Sequence, residues 1–265
     1  MKLTIQDVIQ HLTTDITLPE NTVDQLLIGS ADQDVQGIFV TFMPTHHVIE
    51  HAVRLNANLI ISHEPPFYNH HSHTDWLMND PVYEAKRTLI QEANVAIYRC
   101  HDAIHRYQPD GITEGLIQAL GWSTYVEQHR LEADILSFPG GTTVQDIAHH
   151  IKKTLGLEYV RVAGSSTMDC KRAAVLVGFR GNAPLTVPLF QNEQLDLIIA
   201  GEGFEWETPE YVRDAVQQGK DKALIMMGHA ESEASGMKLL ADRLSTVFPT
   251  VPIHFVADQP IFKVL

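Results

Sequence analysis

The sequence predicts an α/β protein of two lobes, each a mostly parallel sheet flanked by helices. Three observations carry this. Short β-branched runs alternate with amphipathic stretches of helical period from Val35 to the C-terminus. The stretches between the runs are long enough for the crossovers that parallel strands require. The length of 265 residues, at roughly 150 residues per domain, suits one large unit or two lobes.

In order, residues 35–42 read as a strand. Thr45 caps a helix whose apolar positions Val48, Ile49, Ala52, Val53 and Leu55 share a face. Residues 58–62 form a buried strand. After a His-rich loop, Asp80-Pro81 opens a helix to about residue 93, a cap followed by proline at the first helical position. Residues 95–100 are a strand and 110–120 a short helix that Gly121 stops in a left-handed conformation. A strand at 134–138 leads to a helix at 143–155, opened by a capping pattern from Thr143 to Asp146. Strands at 158–163 and 172–178 precede a short helix at 185–192 and a strand at 195–200. Thr208-Pro209 caps a helix to about 218, followed by a strand at 222–227, a helix at 231–247 and a last strand at 252–256. No linker rich in Pro, Gly or Ser divides the chain. The polar stretch 127–132 is the expected boundary, giving an N-terminal lobe 1–127 and a C-terminal lobe 128–265.

Composition narrows the function. A hydrophobic content of 44% with 20% charged residues excludes a disordered or fibrous chain. Nineteen basic against 33 acidic residues give a net charge of −14, which repels a phosphate backbone and argues against a nonspecific nucleic-acid binder. The apolar runs fall short of the roughly 20 residues a membrane helix needs, and the N-terminus lacks the core of a signal peptide. Two cysteines, Cys100 and Cys170, make no disulfide framework and fit a reducing cytoplasm. The count of 15 histidines points toward chemistry.

Three histidine-bearing segments each follow a predicted strand: Ser62-His63-Glu64, then Cys100 to His105, then Gly228 to Glu233. Ligands in open parallel sheets bind beyond the carboxyl ends of strands, so three such ends can deliver donors to one metal site. His229 and Glu233 stand four residues apart at a helix start and face the same way, and an imidazole with a carboxylate suits a borderline divalent ion. Glu231 reads as a first-turn acid set against the helix dipole. The loop with His70, His71 and His73 is suited to gating or substrate contact more than to direct ligation. His46-His47 and His149-His150 lie in helical patterns and read as surface or packing residues. Nucleophile-elbow and phosphate-loop motifs are absent. A Cys100–His101 dyad is disfavoured, because adjacent strand-end side chains point apart.

With these residues in place, the chain resembles the Nif-three-like dinuclear metal-centre proteins, also known as type-2 GTP cyclohydrolase I homologues. The resemblance runs in order over nearly the whole chain. The family's Ser-His-His-Pro turn is similar to Ser62-His63-Glu64-Pro65, and its strand ending in His-x-x-x-Asp is similar to His101 through His105. Its Thr-Gly-Glu turn resembles Ala200-Gly201-Glu202, and its Gly-His-x-x-[ST]-Glu helix start matches Gly228 through Glu233. There are two departures. Glu64 stands where the family has a second adjacent histidine, and His105 where it has an aspartate; Asp102 is the alternative carboxylate.

Carried over by position, the resemblance implies His63, Glu64, His105, His229 and Glu233 as ligands to two divalent ions, of zinc, iron or manganese. It retains the family's tally of three imidazoles and two carboxylates. Glu202 or His101 would orient a ligand or carry a proton. The implied protein is a toroidal homohexamer of two-lobed α/β subunits, with no inserted central domain of the kind the family's longer members carry and with a small-molecule or nucleotide substrate. The leading expectation is a metal-dependent hydrolase of a phosphoester or nucleotide-type substrate. The alternatives are a non-catalytic metal-binding scaffold or metallochaperone, and a GTP cyclohydrolase-like ring opening.

Overall fold

The computed structural model describes residues 2–257 and 259–265. Its first elements are α1 (Ile5–Thr13), β1 (Gln25–Ile28), β2 (Ile38–Thr41), α2 (His46–Arg54), β3 (Leu59–Ser62), α3 (Pro81–Ala93), β4 (Ala96–Arg99) and α4 (Asp102–His105). Then come α5 (Gly111–Ala119), β5 (Val126–His129), β6 (Asp134–Ser137), α6 (Val144–Leu155), β7 (Arg161–Gly164) and β8 (Arg172–Leu176). The chain continues through α7 (Ala183–Asn192), β9 (Leu197–Ala200), α8 (Thr208–Gln217), β10 (Ala223–Met226), α9 (His229–Val247) and β11 (Ile253–Val256).

The expected α/β class holds, with two sheets flanked by helices. The first sheet runs β1-β4-β3-β2-β11 and the second β5-β6-β8-β9-β10-β7. Pairing is parallel in the interiors and out to the β11 edge, β4-β3-β2-β11 in one and β8-β9-β10 in the other. Those interior strands β2, β3, β4, β9 and β10 are buried at every position, as strands covered on both faces must be. One core gathers around Phe39, Ile60 and Ile97, the other around Leu176, Ile198 and Leu224.

Antiparallel strands complete both sheets. β1 joins β4, β7 joins β10, and β5 and β6 form a hairpin that joins β8 through β6. The four-residue turn from Arg130 to Ala133, closed by Arg130 N–H donating to the Ala133 carbonyl at 3.0 Å, is too short for a crossover, so antiparallel pairing follows.

The chain splits into two compact units, Met1–Gly111 with Met237–Asp258, and Ile112–Gly236 with Gln259–Leu265. This division differs from the one expected at residues 127 and 128. The polar stretch that suggested a linker is β5 and its hairpin turn, polar because β5 is an exposed edge strand. The last strand does not belong to the second sheet either: β11 lies parallel to β2 in the first. The expected caps are present, with Thr45 accepting from Val48 N–H, Asp80 from Val82 and Tyr83, and Thr143 exchanging bonds with Asp146. The sequence reading omits α1, β1, α4 and β5. Among the described residues no helix is long and apolar enough to cross a membrane.

Candidate metal centre

In the first unit, β3 and β4 run in parallel register with Ser62 opposite Arg99. The residues that follow, His63-Glu64 and Cys100-His101, therefore leave the same end of the sheet together. His101 leads directly into α4, and Asp24 anchors that turn. Its carboxylate accepts the backbone N–H groups of His101, Asp102 and Ala103 at 2.8, 2.6 and 2.9 Å. These are the orphan donors of a helix start, and a carboxylate suits them by charge as well as by hydrogen bonding. Burial pushes the Asp24 carboxyl up, against the pull of those three bonds.

One turn of α4 then brings His105 beside His63 and His101. The His63 and His101 rings stack with centroids 4.5 Å apart, and His105 meets them edge-on at 5.0 and 5.1 Å. One ring nitrogen from each of the three lies within 4.8 Å of the others, close enough to hold a single ion. A second group, formed by Glu64, His70 and His101, meets the same condition.

The tautomers suit ligation. His101 Nδ1 faces Asp102 Oδ1 at 2.9 Å, His105 Nδ1 faces Asp110 Oδ2 at 2.9 Å, and His63 Nδ1 faces the Cys100 carbonyl at 3.3 Å. An acceptor at Nδ1 places the ring proton there and leaves the lone pair on Nε2, the arrangement that orients metal-binding imidazoles. Burial lowers the His101 pKa to about 4, aided by the neighbouring His63 and His105 and opposed by Asp102. The ring is neutral at pH 7, as a ligand must be.

Glu64 has a strong counterion. Arg99, its side chain fully buried, donates from Nη2 to Glu64 Oε2 at 2.7 Å. The same guanidinium bonds the His63 carbonyl from Nε at 3.1 Å, the His70 carbonyl from Nη1, and His70 Nδ1 from Nη2 at 3.0 Å. Burial alone would raise the Glu64 pKa, but the neighbouring His70, His63, Arg99 and His101 bring it down to about 2. Glu64 Oε1 points the other way, 3.8 Å from His101 Nε2.

In the second unit, β8 and β9 end side by side, and α9 begins where β10 ends. Its first turn carries His229 and Glu233 on one face, with Nε2 and Oε2 3.2 Å apart. His229 Nδ1 lies 2.9 Å from Glu202 Oε2, so this imidazole follows the same tautomer rule as the three above. The turn packs closely on the strand ends. Buried Ser232 accepts Gly178 N–H at 2.9 Å and donates to the His229 carbonyl at 2.7 Å. Gly178 has φ +58, and a Cβ there would collide with Glu233, so the site requires glycine at that position on both counts.

Of the residues expected from sequence, His63, Glu64 and His105 gather in the first unit, and Glu202, His229 and Glu233 in the second. Asp102 is not a donor in either group of the first unit; it holds His101 and accepts from Thr22 Oγ1 and Val23 N–H. His101 stands inside both groups, beyond the orienting or proton-carrying part read from sequence. His70 also joins a donor group. His150 packs as expected, stacked on Trp122 and bonded to the Leu120 carbonyl. Cys100 is fully buried with its thiol pushed far up by that burial, which removes it as a nucleophile. Arg99 and Asp24 are functional residues the sequence reading missed. An arginine ending the apolar strand Ala96-Ile97-Tyr98 was the available signal for the first; Asp24 left none.

The fold and these donor sets define an α/β protein with residues able to hold a metal ion at its strand ends. The chain belongs to the Duf34/NIF3 (NGG1p interacting factor 3) family, whose sequence profile matches residues 5–260. It is 23% identical over 219 residues to a Clostridium perfringens protein named GTP cyclohydrolase 1 type 2 homolog, covering 78% of this chain and 77% of that one. A Clostridium acetobutylicum protein of the same name is 21% identical, with coverages of 83% and 80%. Among solved structures, a Staphylococcus aureus hypothetical protein superposes with a TM-score of 0.77 at 19% identity over 100% of both chains. A Bacillus cereus protein related to NIF3 gives 0.75 at 15% identity, covering 98% of each.

Proposed function

We propose that this protein binds two divalent metal ions, of zinc, iron or manganese, and uses them to hydrolyse a phosphoester or nucleotide-type substrate. His63, Glu64 and His105 of the first unit and His229 and Glu233 of the second are the proposed ligands, with His101 joining them and Glu202 orienting His229. The observation that carries the reading is the shared posture of four imidazoles. His63, His101, His105 and His229 each turn Nδ1 to an oxygen acceptor, so each has its lone pair on Nε2.

Divalent ions at such a centre would polarise a scissile phosphoester and lower the pKa of water at neutral pH. The chain's own part is to keep the donors neutral or anionic and fixed in direction. Asp102 and Asp110 hold two rings, and Arg99 fixes Glu64 so that one carboxylate oxygen faces the imidazoles. A cytoplasmic homohexamer is part of the same proposal, and six copies by light scattering is its expected reading.

The test is metal quantification on protein purified without chelators, followed by assay against phosphomonoesters, phosphodiesters and nucleotides. GTP is included because of the names the relatives carry. Bound divalent metal, and hydrolysis lost in His63→Ala, is the expected result. Metal-free protein, or turnover indifferent to that substitution, would overturn it.

A further inference from the structure

A cavity of about 260 Å³ opens in the first unit between residues 21–25 and the loop of residues 70–73. Ligand pockets for drug-sized molecules run from roughly 300 to 1,000 Å³, so this space suits one polar group of a larger molecule. Its lining offers Asn21, Thr22, Gln25, His71, Ser72 and His73, together with His70. Asn21, Gln25, Ser72 and the histidines can each donate a hydrogen bond, Thr22 already donates its hydroxyl proton to Asp102, and none is a carboxylate, in a chain with 33 acidic residues. Asp24, in the same wall by sequence, turns its carboxylate to the backbone of α4 instead.

Both walls are fixed. Asn69 Oδ1 accepts the N–H groups of His71 and His73 at 3.0 and 3.2 Å, and Arg99 bonds the His70 carbonyl. The Ser72 hydroxyl is buried with no hydrogen-bond partner among the described residues, a condition that favours a ligand able to accept from it. The opposite wall is fastened by Thr22 Oγ1 and Val23 N–H to Asp102 Oδ2 at 2.8 and 3.0 Å, and Asp102 in turn holds His101. The cavity therefore shares His70 with one donor group and is bound through Asp102 to a residue of both.

We propose that this cavity is a phosphate subsite, which takes a non-reacting phosphoryl group of the substrate while the neighbouring donors hold the metal. Donors in a lining that holds no carboxylate match a tetrahedral oxyanion, and bonds to an ionised acceptor are about twice as strong as neutral ones. The inference deepens the hydrolase reading and rests on it.

The experiment titrates inorganic phosphate, with acetate as the carboxylate control, by calorimetry into chelator-stripped wild-type protein and the double variant His71→Ala, His73→Ala. Both histidines are exposed, so the variant folds. Expected is phosphate binding to the stripped wild type, weakened about tenfold or more in the variant, with metal uptake unchanged. No phosphate binding without metal, equal affinity in both proteins, or acetate binding as tightly as phosphate would each overturn the subsite. Failure of the hydrolase reading appears elsewhere, in metal quantification and in turnover by the His63→Ala variant.

Discussion

Arg99 and Glu64 form an ion pair of 2.7 Å in which the guanidinium is fully buried and the carboxylate nearly so. The pair does more than neutralise charge. Arg99 also bonds the carbonyls of His63 and His70 and the His70 ring, so one side chain ties together four backbone or side-chain groups beyond the strand ends. Removing one partner of a buried pair leaves the other uncompensated, at about 3–5 kcal/mol. Arg99→Met is expected to lower stability by that amount in urea unfolding, and Arg99→Lys, which lacks the fork, to recover only part of it.

Glu64 also sets a pH dependence, through His70, His63, Arg99 and His101 together. In metal-free protein Glu64 titrates near 2, below the 4.5 of an unperturbed glutamate. A depressed folded value means that the associated stability is complete above pH 4.5 and disappears as pH falls through about 2. On linkage it amounts to roughly 3 kcal/mol. Stability curves of wild type and Glu64→Gln between pH 2 and 6 check this, the variant showing the shallower acid loss.

Asp102 and Asp110 fix the tautomers of His101 and His105. Loss of such a partner costs about 10- to 100-fold in metal affinity. Asp102→Asn and Asp110→Asn are expected to weaken binding in that range, read by competition with a chromophoric chelator; unchanged affinity would contradict the role assigned to the two rings.

Glu233 belongs to the proposed second ion. Glu233→Ala is expected to reduce bound metal from two equivalents to one by elemental analysis, with an unaltered circular-dichroism spectrum, because the sheet cores do not include it.

Ser232 joins Gly178 N–H to the His229 carbonyl. Ser232→Ala removes a buried hydroxyl and leaves an N–H without its acceptor, at about 1–3 kcal/mol. A lowered melting temperature measures the loss, and weaker metal uptake through His229 accompanies it.

Local chemistry was the most legible part of the sequence. Capping pairs such as Thr143 with Asp146, and apolar runs such as Leu59–Ser62, reveal element type directly because both depend on neighbours a few residues apart. The same signature, Thr4 with Asp7, opens α1, yet its buried face rests on only Ile5, Val8 and Leu12 and did not stand out. Edge strands were the least readable. β5 is largely exposed, so its composition is that of a loop, and β1 is missed as well, whereas the exposed β7 is read as the strand at 158–163. At the candidate site, histidines at strand ends declared themselves. The groups that hold them did not, since Asp24 caps a helix 77 residues away and nothing local marks that partnership.

The placement of β11 beside β2 dictates an order of assembly on the ribosome. Every strand of the second sheet has been synthesised before β11 exists, so that sheet can close while the first still shows a bare flank at β2. Domains tend to fold as units during synthesis, and here the first sheet must wait for a strand made after all those of the second. Exposed strand edges invite aggregation; for this protein that hazard lies along β2 and lasts until the final strand emerges.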